Sequence, residues 1–317
     1  MKRFVLFATI TALAFKTAVS VNAEEGGSGQ YISGAFSSAL DVTPNLPGFA
    51  VGTDFIFYKG GFSASRTLPV AGRLVAGLKA NVYVFDIAGA YTFTPKVLGA
   101  YYTVGVCVPY IWMEATANVG VGPLTRTIRD STSNISDIAL VPVGLDWTFG
   151  QVQLNFQSVI YAPTGDFVVG ALANPGKNHW MFDQTVGASF MSEKTGTEVS
   201  GFFGYAVSTE NPATHYRNGD IIHLEGTLQQ FFPLGSKSTL LGIGANGFLY
   251  QQVTGDSGSG ATLGDFKGSA AGVGPVLTLI HLKGKSATSL QFKWLPELET
   301  ERRLSGDWFW FSGGYKF

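Results

Sequence analysis

The chain has 317 residues, 45% of them hydrophobic and 14% aromatic, with 21 Lys and Arg against 22 Asp and Glu for a formal net charge of −1. That balance offers no concentrated basic surface for nucleic acid, and the single cysteine, Cys107, excludes an intramolecular disulfide. After the first 23 residues no stretch has the ~20 uninterrupted apolar residues of a membrane helix, and 41 glycines and 13 prolines break most long helices.

The chain begins with "MKRFVLFATITALAFKTAVSVNA", which has a basic start at Lys2 and Arg3, an apolar stretch and a small-residue site at Val21-Asn22-Ala23. This is the pattern of a secretory signal peptide, 1–23, cleaved after Ala23. Residues 24–48, "EEGGSGQYISGAFSSALDVTPNLPG", are polar, small and proline-punctuated, with no strand long enough to cross a membrane. They read either as a disordered periplasmic leader or as a small plug folded into a lumen enclosed by residues 49–317.

From residue 49 to 317 the period is two. "QVQLNFQSVIY" sets Val152, Leu154, Phe156 and Ile160 against Gln151, Gln153, Asn155 and Gln157. "IIHLEGTLQQF" sets Ile222, Leu224 and Leu228 against His223, Glu225, Thr227 and Gln229, and "TSLQFKW" sets Leu290, Phe292 and Trp294 against Ser289, Gln291 and Lys293. The spacing predicts about twelve strands near 49–58, 80–93, 99–114, 137–149, 151–161, 179–191, 197–208, 220–232, 237–252, 269–282, 285–295 and 306–317. Long connections (59–79, 115–136, 162–178, 209–219, 253–268, 296–305) alternate with short ones: "TPKVLG", the region of Gly150, "SEKTG", "PLGSK" and "KGK".

An exported chain that is this apolar and has no helical span is explained by strands that face lipid. Lipid leaves no backbone group unsatisfied, so the strands must close on themselves. The expected fold is therefore all-β: a transmembrane antiparallel β-barrel of about 12 strands with both termini periplasmic, since long loops are extracellular and short turns periplasmic in such barrels. The last strand, "SGDWFWFSGGYKF", puts Phe309, Phe311, Tyr315 and Phe317 on its lipid face and Trp308 and Trp310 inward, and it must pair with the first strand to remove the open edge.

On this register the lumen receives Asp54, Asp86, Asp146, Asp183, His223, Glu225 and Lys293, together with Tyr58, Tyr101, Tyr161, Phe202, Phe248, Tyr250, Trp308 and Trp310. Isolated charges mixed with aromatics suit a narrow, partly filled conduit better than a wide diffusion pore. The candidate substrate pathway is Asp86, Asp146, Asp183, His223, Glu225, Phe248, Tyr250, Lys293, Trp308 and Trp310. Asp166 in "PTGDF" and Asp220 in "RNGD" read as turn residues with a possible ligand contact.

No catalytic residue, metal ligand or cofactor site is expected: His179, His215, His223 and His281 are scattered, no G-x-S-x-G elbow occurs, and the acidic residues of "TGDSGSG" are too few for calcium.

In order and approximate spacing, "APTGDF", "NPGKNHWMFDQTVGASF", "HYRNGDIIHLEG", "YQQVTGDSGSGA" and "GVGP" resemble the outer-membrane protein family named for the MetA pathway of phenol degradation. That family is related to the barrel transporters of long-chain fatty acids and aromatic hydrocarbons. Phe167 stands where Tyr often follows the Gly-Asp pair, and Asn218 where Ser is common. The resemblance implies a non-enzymatic, Gram-negative outer-membrane channel for passive uptake of small hydrophobic or aromatic compounds. Its partners would be outer-membrane lipid, the barrel assembly machinery (with Phe317 and Tyr315 as assembly signal) and the substrate itself. The competing function from another class is a structural or adhesive barrel with partner-binding loops; a hydrolase is the weaker option still.

Overall fold

The computed structural model describes residues 25, 29–42, 44–63, 67–119, 125–265, 267–284 and 286–317. The expected signal peptide lies outside the described residues.

Fourteen strands form one sheet: β1 (Gly48–Gly61), β2 (Thr67–Val70), β3 (Arg73–Val97), β4 (Ala100–Val119), β5 (Arg126–Ile135), β6 (Ile138–Phe149), β7 (Val152–Ala162), β8 (Met181–Met191), β9 (Thr197–Ser208), β10 (Ile221–Leu234), β11 (Ser236–Gln252), β12 (Ser269–Lys283), β13 (Ser286–Glu301) and β14 (Ser305–Lys316). Twelve of them close the wall in the order β3-β1-β14-β13-β12-β11-β10-β9-β8-β7-β6-β4, and β3 pairs with β4 to complete the ring. Neighbours in the wall are antiparallel throughout. The closing seam runs in unbroken register from Ala50↔Lys316 to Gly61↔Ser305, so the aromatic last strand leaves no open edge.

The other two strands do not belong to the wall. β2 pairs with the start of β3, and β5 pairs with the far half of β4, Tyr110–Val119, so the long strands β3 and β4 rise past the ring as a ribbon. The segments 59–79 and 115–136, read from sequence as loops, are thus partly strand. β5 escapes a pattern search because "RTIRDSTSNI" has only Ile128 and Ile135 as apolar residues and so shows no alternating apolar face, although Ile128 packs against the core. The connection expected at 296–305 shrinks to 302–304, because β13 continues to Glu301.

All connections of one kind lie at one rim. The short turns each carry a glycine with positive φ (Gly99, Gly150, Gly196, Gly235 and Gly284), which a tight hairpin needs at a position where an L side chain would be strained. We call this end the turn rim and the opposite end the loop rim.

Outward positions are exposed and apolar around the ring: Phe55, Ile87, Val186, Val199, Leu228, Ile243, Val273, Leu290 and Phe311 are each at least 41% exposed. Such a belt is stable only against hydrocarbon. The rings of Phe55, Phe311 and Phe292 tilt against one another, with centroids 6.5 and 5.0 Å apart across β1, β14 and β13, on the lipid side of the seam. No described helix is long and apolar enough to cross a membrane.

The described part of the segment before β1 lies inside the ring. Glu25 is at the loop rim: its backbone N–H donates to Asn218 Oδ1 (3.0 Å), and its carboxyl accepts from Gly72 N (3.0 Å), Thr214 Oγ1 (3.1 Å) and Asn211 Nδ2 (3.2 Å). Farther on, Asn45 reaches Gln153, and Pro47 O accepts from Lys316 Nζ (2.9 Å), both at the turn rim. The start of β1 and Phe317 share the turn rim, with Phe317 N donating to Phe49 O (3.0 Å), while Glu25 stands at the opposite rim and residues 29–42 lie inside the ring.

Candidate functional site: the lumen

The lumen has two unlike sides. Along β8–β13 many inward side chains are polar: Asp183, Thr185, Glu198, Ser200, His223, Glu225, Thr227, Gln229, Asn246, Thr278, Gln291 and Lys293 are all buried, with Phe202, Phe248 and Tyr250 among them. Segment 29–42 lies on this side. Tyr31 stacks on the His223 ring (4.0 Å between centroids) and donates its hydroxyl to Glu225, which also accepts from Phe36 N (3.2 Å). Lys293 Nζ donates to Gly34 O (2.7 Å) and to Asp41 Oδ1 (3.1 Å), Trp310 Nε1 donates to Ser33 O (3.2 Å), and Ala39 N donates to Glu198 (3.0 Å). The fit depends on glycine at two places. A Cβ on Gly204 would run into the His223 ring, and Gly34 adopts φ +98 with Leu295 and the Trp310 indole against its Cα.

Along β1, β3, β4, β6 and β7 the inward side is largely apolar toward the loop rim, and open space remains between it and segment 29–42, whose Tyr31, Ile32, Ala35 and Phe36 form the facing side. A cavity of about 390 Å³ toward the loop rim is lined by Ile56, Val82, Val84, Ile111, Met113 and Val159, with Tyr58, Tyr161, Trp308 and Trp310 among its aromatic contacts. A second cavity of about 790 Å³ lies toward the turn rim. The two share Ala35, Asp41, Asp54, Ala88, Cys107, Val141, Gln157 and Trp310, so they adjoin at a zone that carries the carboxylates of Asp41 and Asp54. Asp54 and Asp86 are cross-strand partners there, and Asp54 N donates to Asp86 Oδ1 (3.3 Å).

All ten side chains expected in the pathway are buried inside the ring, but they do not form one group. Asp86, Trp308 and Trp310 line the open cavity toward the loop rim. Asp183, His223, Glu225, Phe248, Tyr250 and Lys293 line neither cavity; His223, Glu225 and Lys293 are stacked beneath or bonded to segment 29–42, and Asp183 is held by His223. Asp146 closes on Gln153 near the turn rim. Asp166 and Asp220 line neither cavity. Asp166 accepts from Asn134 Nδ2 (2.5 Å) and Asp220 from Tyr205 OH (2.8 Å), which stitches loop to strand. Sequence reasoning missed the aliphatic lining. In "NVYVFDIAG" both faces of β3 are apolar, so Val82 and Val84 carry no sign that they face inward while Tyr83 and Phe85 face out.

A cap over the loop rim holds the segment's first residues. Gln30 Nε2 donates to Asp137 Oδ2 (2.8 Å) and His179 O (3.2 Å), and Asn218 Nδ2 meets His179 Nε2 (3.2 Å). Burial holds the Glu25 carboxyl above its ordinary value against the pull of Thr214, Asn211 and Gly72, and burial likewise holds His179 below its usual range. Among the described residues no three His, Cys, Asp or Glu side chains converge to hold a metal ion.

Comparison with known proteins places this geometry. The family described as "Putative MetA-pathway of phenol degradation" matches residues 59–313. The COG4313 outer membrane channel from Pseudomonas putida F1 superposes with TM-score 0.62 at 12% identity, covering 91% of this chain and 100% of that one. The β domain of the Bordetella autotransporter BrkA (TM-score 0.48, 8% identity, 85% and 99% covered) and the transport unit of AIDA-I from Escherichia coli (0.48, 9%, 89% and 94%) are more distant. No curated protein matches.

Proposed function

The chain belongs to the phenol-degradation MetA family, and on that premise we propose that it is an outer-membrane channel through which small hydrophobic or aromatic compounds diffuse passively. The observation that carries the proposal is the apolar chamber beside Trp308 and Trp310, left open while the polar side of the same lumen is covered. A chamber of that size and character accepts a small planar solute by burying its surface at about 25 cal/mol per Å². The carboxylates where the cavities adjoin set a second condition, because a neutral solute passes Asp54 and Asp86 at less cost than an anion does. The loop rim faces the medium, in keeping with barrels whose long loops are extracellular. An adhesin could fill its lumen throughout, and two adjoining cavities favour a conduit over that alternative.

The experiment is uptake at low external concentration by a deletion strain and its complemented parent, using a labelled neutral aromatic, its carboxylate analogue and a sugar of similar size. The proposal expects the neutral aromatic to depend on the protein most strongly. Equal uptake of all three by both strains would remove it.

A further inference from the structure

The covered side of the lumen is built like the wall of a water-filled pore. Polar side chains outnumber apolar ones among its buried residues from β8 to β13, and Asp183, Glu198, His223, Glu225 and Lys293 are among them, as on the inner wall of a porin-type barrel. Segment 29–42 satisfies that surface incompletely. His223 Nδ1, Glu225 Oε2, Gln229 Oε1, Asn246 Oδ1 and Gln291 Oε1, all at least nine-tenths buried, have no hydrogen-bond partner in the protein, and neither does Ser33 Oγ on the segment. Native interiors satisfy nearly all such atoms, and each orphan left unpaired is costly. The segment itself has turns but no strand or helix, so nothing in its own backbone ladder resists withdrawal. Orphaned polar atoms on one wall, opposite a ladder-free strap, are what a displaceable septum leaves behind when seated.

We propose that the lumen contains a second, hydrophilic lane along β8–β13, closed while segment 29–42 is seated and opened when it withdraws, which passes small polar solutes and inorganic cations. The proposal rests on the protein's being a channel, and it adds a solute class that the apolar chamber does not serve. The cation preference follows from the wall: the carboxylates Asp183, Glu198 and Glu225 outnumber Lys293, and that excess of negative charge remains after withdrawal takes Asp41 away from Lys293.

The test is single-channel recording in planar bilayers with potassium chloride. Three proteins are compared: the unaltered protein, a variant lacking residues 29–42, and the full-length variant Tyr31→Ala/Asp41→Asn, whose changes lie on the segment and leave the wall intact. The deletion is expected to raise conductance several-fold with a reversal potential on the potassium side. The loosened variant should step between the unaltered level and the deletion level. A folded, heat-modifiable deletion variant with unaltered conductance overturns the proposal, as does a chloride-side reversal potential. If the deletion prevents folding, the loosened variant decides, and a trace indistinguishable from the unaltered protein overturns it. Uptake of the neutral aromatic, measured in parallel, fails only if the apolar conduit is wrong, so the two proposals fall separately.

Discussion

Lys293→Met isolates the attachment of the lumen segment from the stability of the barrel. The ammonium is buried on β13 and donates to Gly34 O (2.7 Å), Ser37 Oγ (3.2 Å) and Asp41 Oδ1 (3.1 Å), so one side chain ties three positions of the segment. Methionine keeps most of the side chain's length and its contact with the Trp310 ring, over which the ammonium sits at 5.0 Å. Removing one partner of a buried ion pair costs about 3–5 kcal/mol. Here the lower end applies, because Asp41 keeps hydrogen bonds from Ser38 N (2.8 Å) and Ser38 Oγ (2.9 Å). About 3 kcal/mol corresponds to roughly a hundred-fold change in an opening equilibrium. Hydrogen exchange on the refolded protein should then show amides of 29–42 exchanging roughly a hundred-fold faster, with β7–β14 unchanged and heat-modifiability retained. Unchanged protection of the segment, or loss of the folded barrel instead, would refute the assignment of Lys293 as the segment's anchor.

On the outer face, Phe311→Arg should lower folded stability by about 2–4 kcal/mol if Phe311 lies near the bilayer midplane, as its position halfway along β14 implies, read from urea-dependent refolding into vesicles. At the loop rim, burial raises the Glu25 carboxyl, so protonation favours the seated segment. That contribution is complete below the ordinary carboxylate range and fades as pH rises through the raised value, so exchange of 29–42, corrected for intrinsic rate, should quicken with rising pH in the unaltered protein and stay flat in Glu25→Gln. Epitope tags placed at 209–219 or 253–268 should bind antibody on intact cells, whereas tags at "SEKTG" should bind only after the outer membrane is opened; the reverse pattern would invert the orientation.

The twelve wall strands were legible because most have one apolar and one polar face, as β9, β10 and β13 do with their regular alternation of buried and exposed positions. That parity also put all ten pathway candidates inside the ring. It could not divide them into open and covered groups. The cover comes from residues more than 180 positions away, as Tyr31 and Phe36 meet Glu225 and Gly34 meets Lys293, and no pattern within a strand encodes so distant a neighbour. The charged run "PELETERRL" reads as a loop, yet β13 persists because Glu297 turns inward to accept from Tyr58 OH (3.0 Å) and Trp308 Nε1 (3.2 Å). The apolar chamber was hidden for the opposite reason. Its lining on β3 and β4 is as hydrophobic as the lipid face, so the two sides of those strands cannot be told apart by composition.

The central claim is that solute passes through the apolar chamber, and filling that chamber tests it most directly. Ala139 on β6 lines the cavity and pairs across the wall with Cys107 and Tyr161. Ala139→Trp puts an indole into the open space and alters no residue of the polar side or of segment 29–42. With folded yield matched by heat-modifiability, uptake of a labelled neutral aromatic by cells carrying Ala139→Trp should fall toward that of the deletion strain. Uptake equal to that of the unaltered protein, with the indole shown to be buried by fluorescence, would contradict the account.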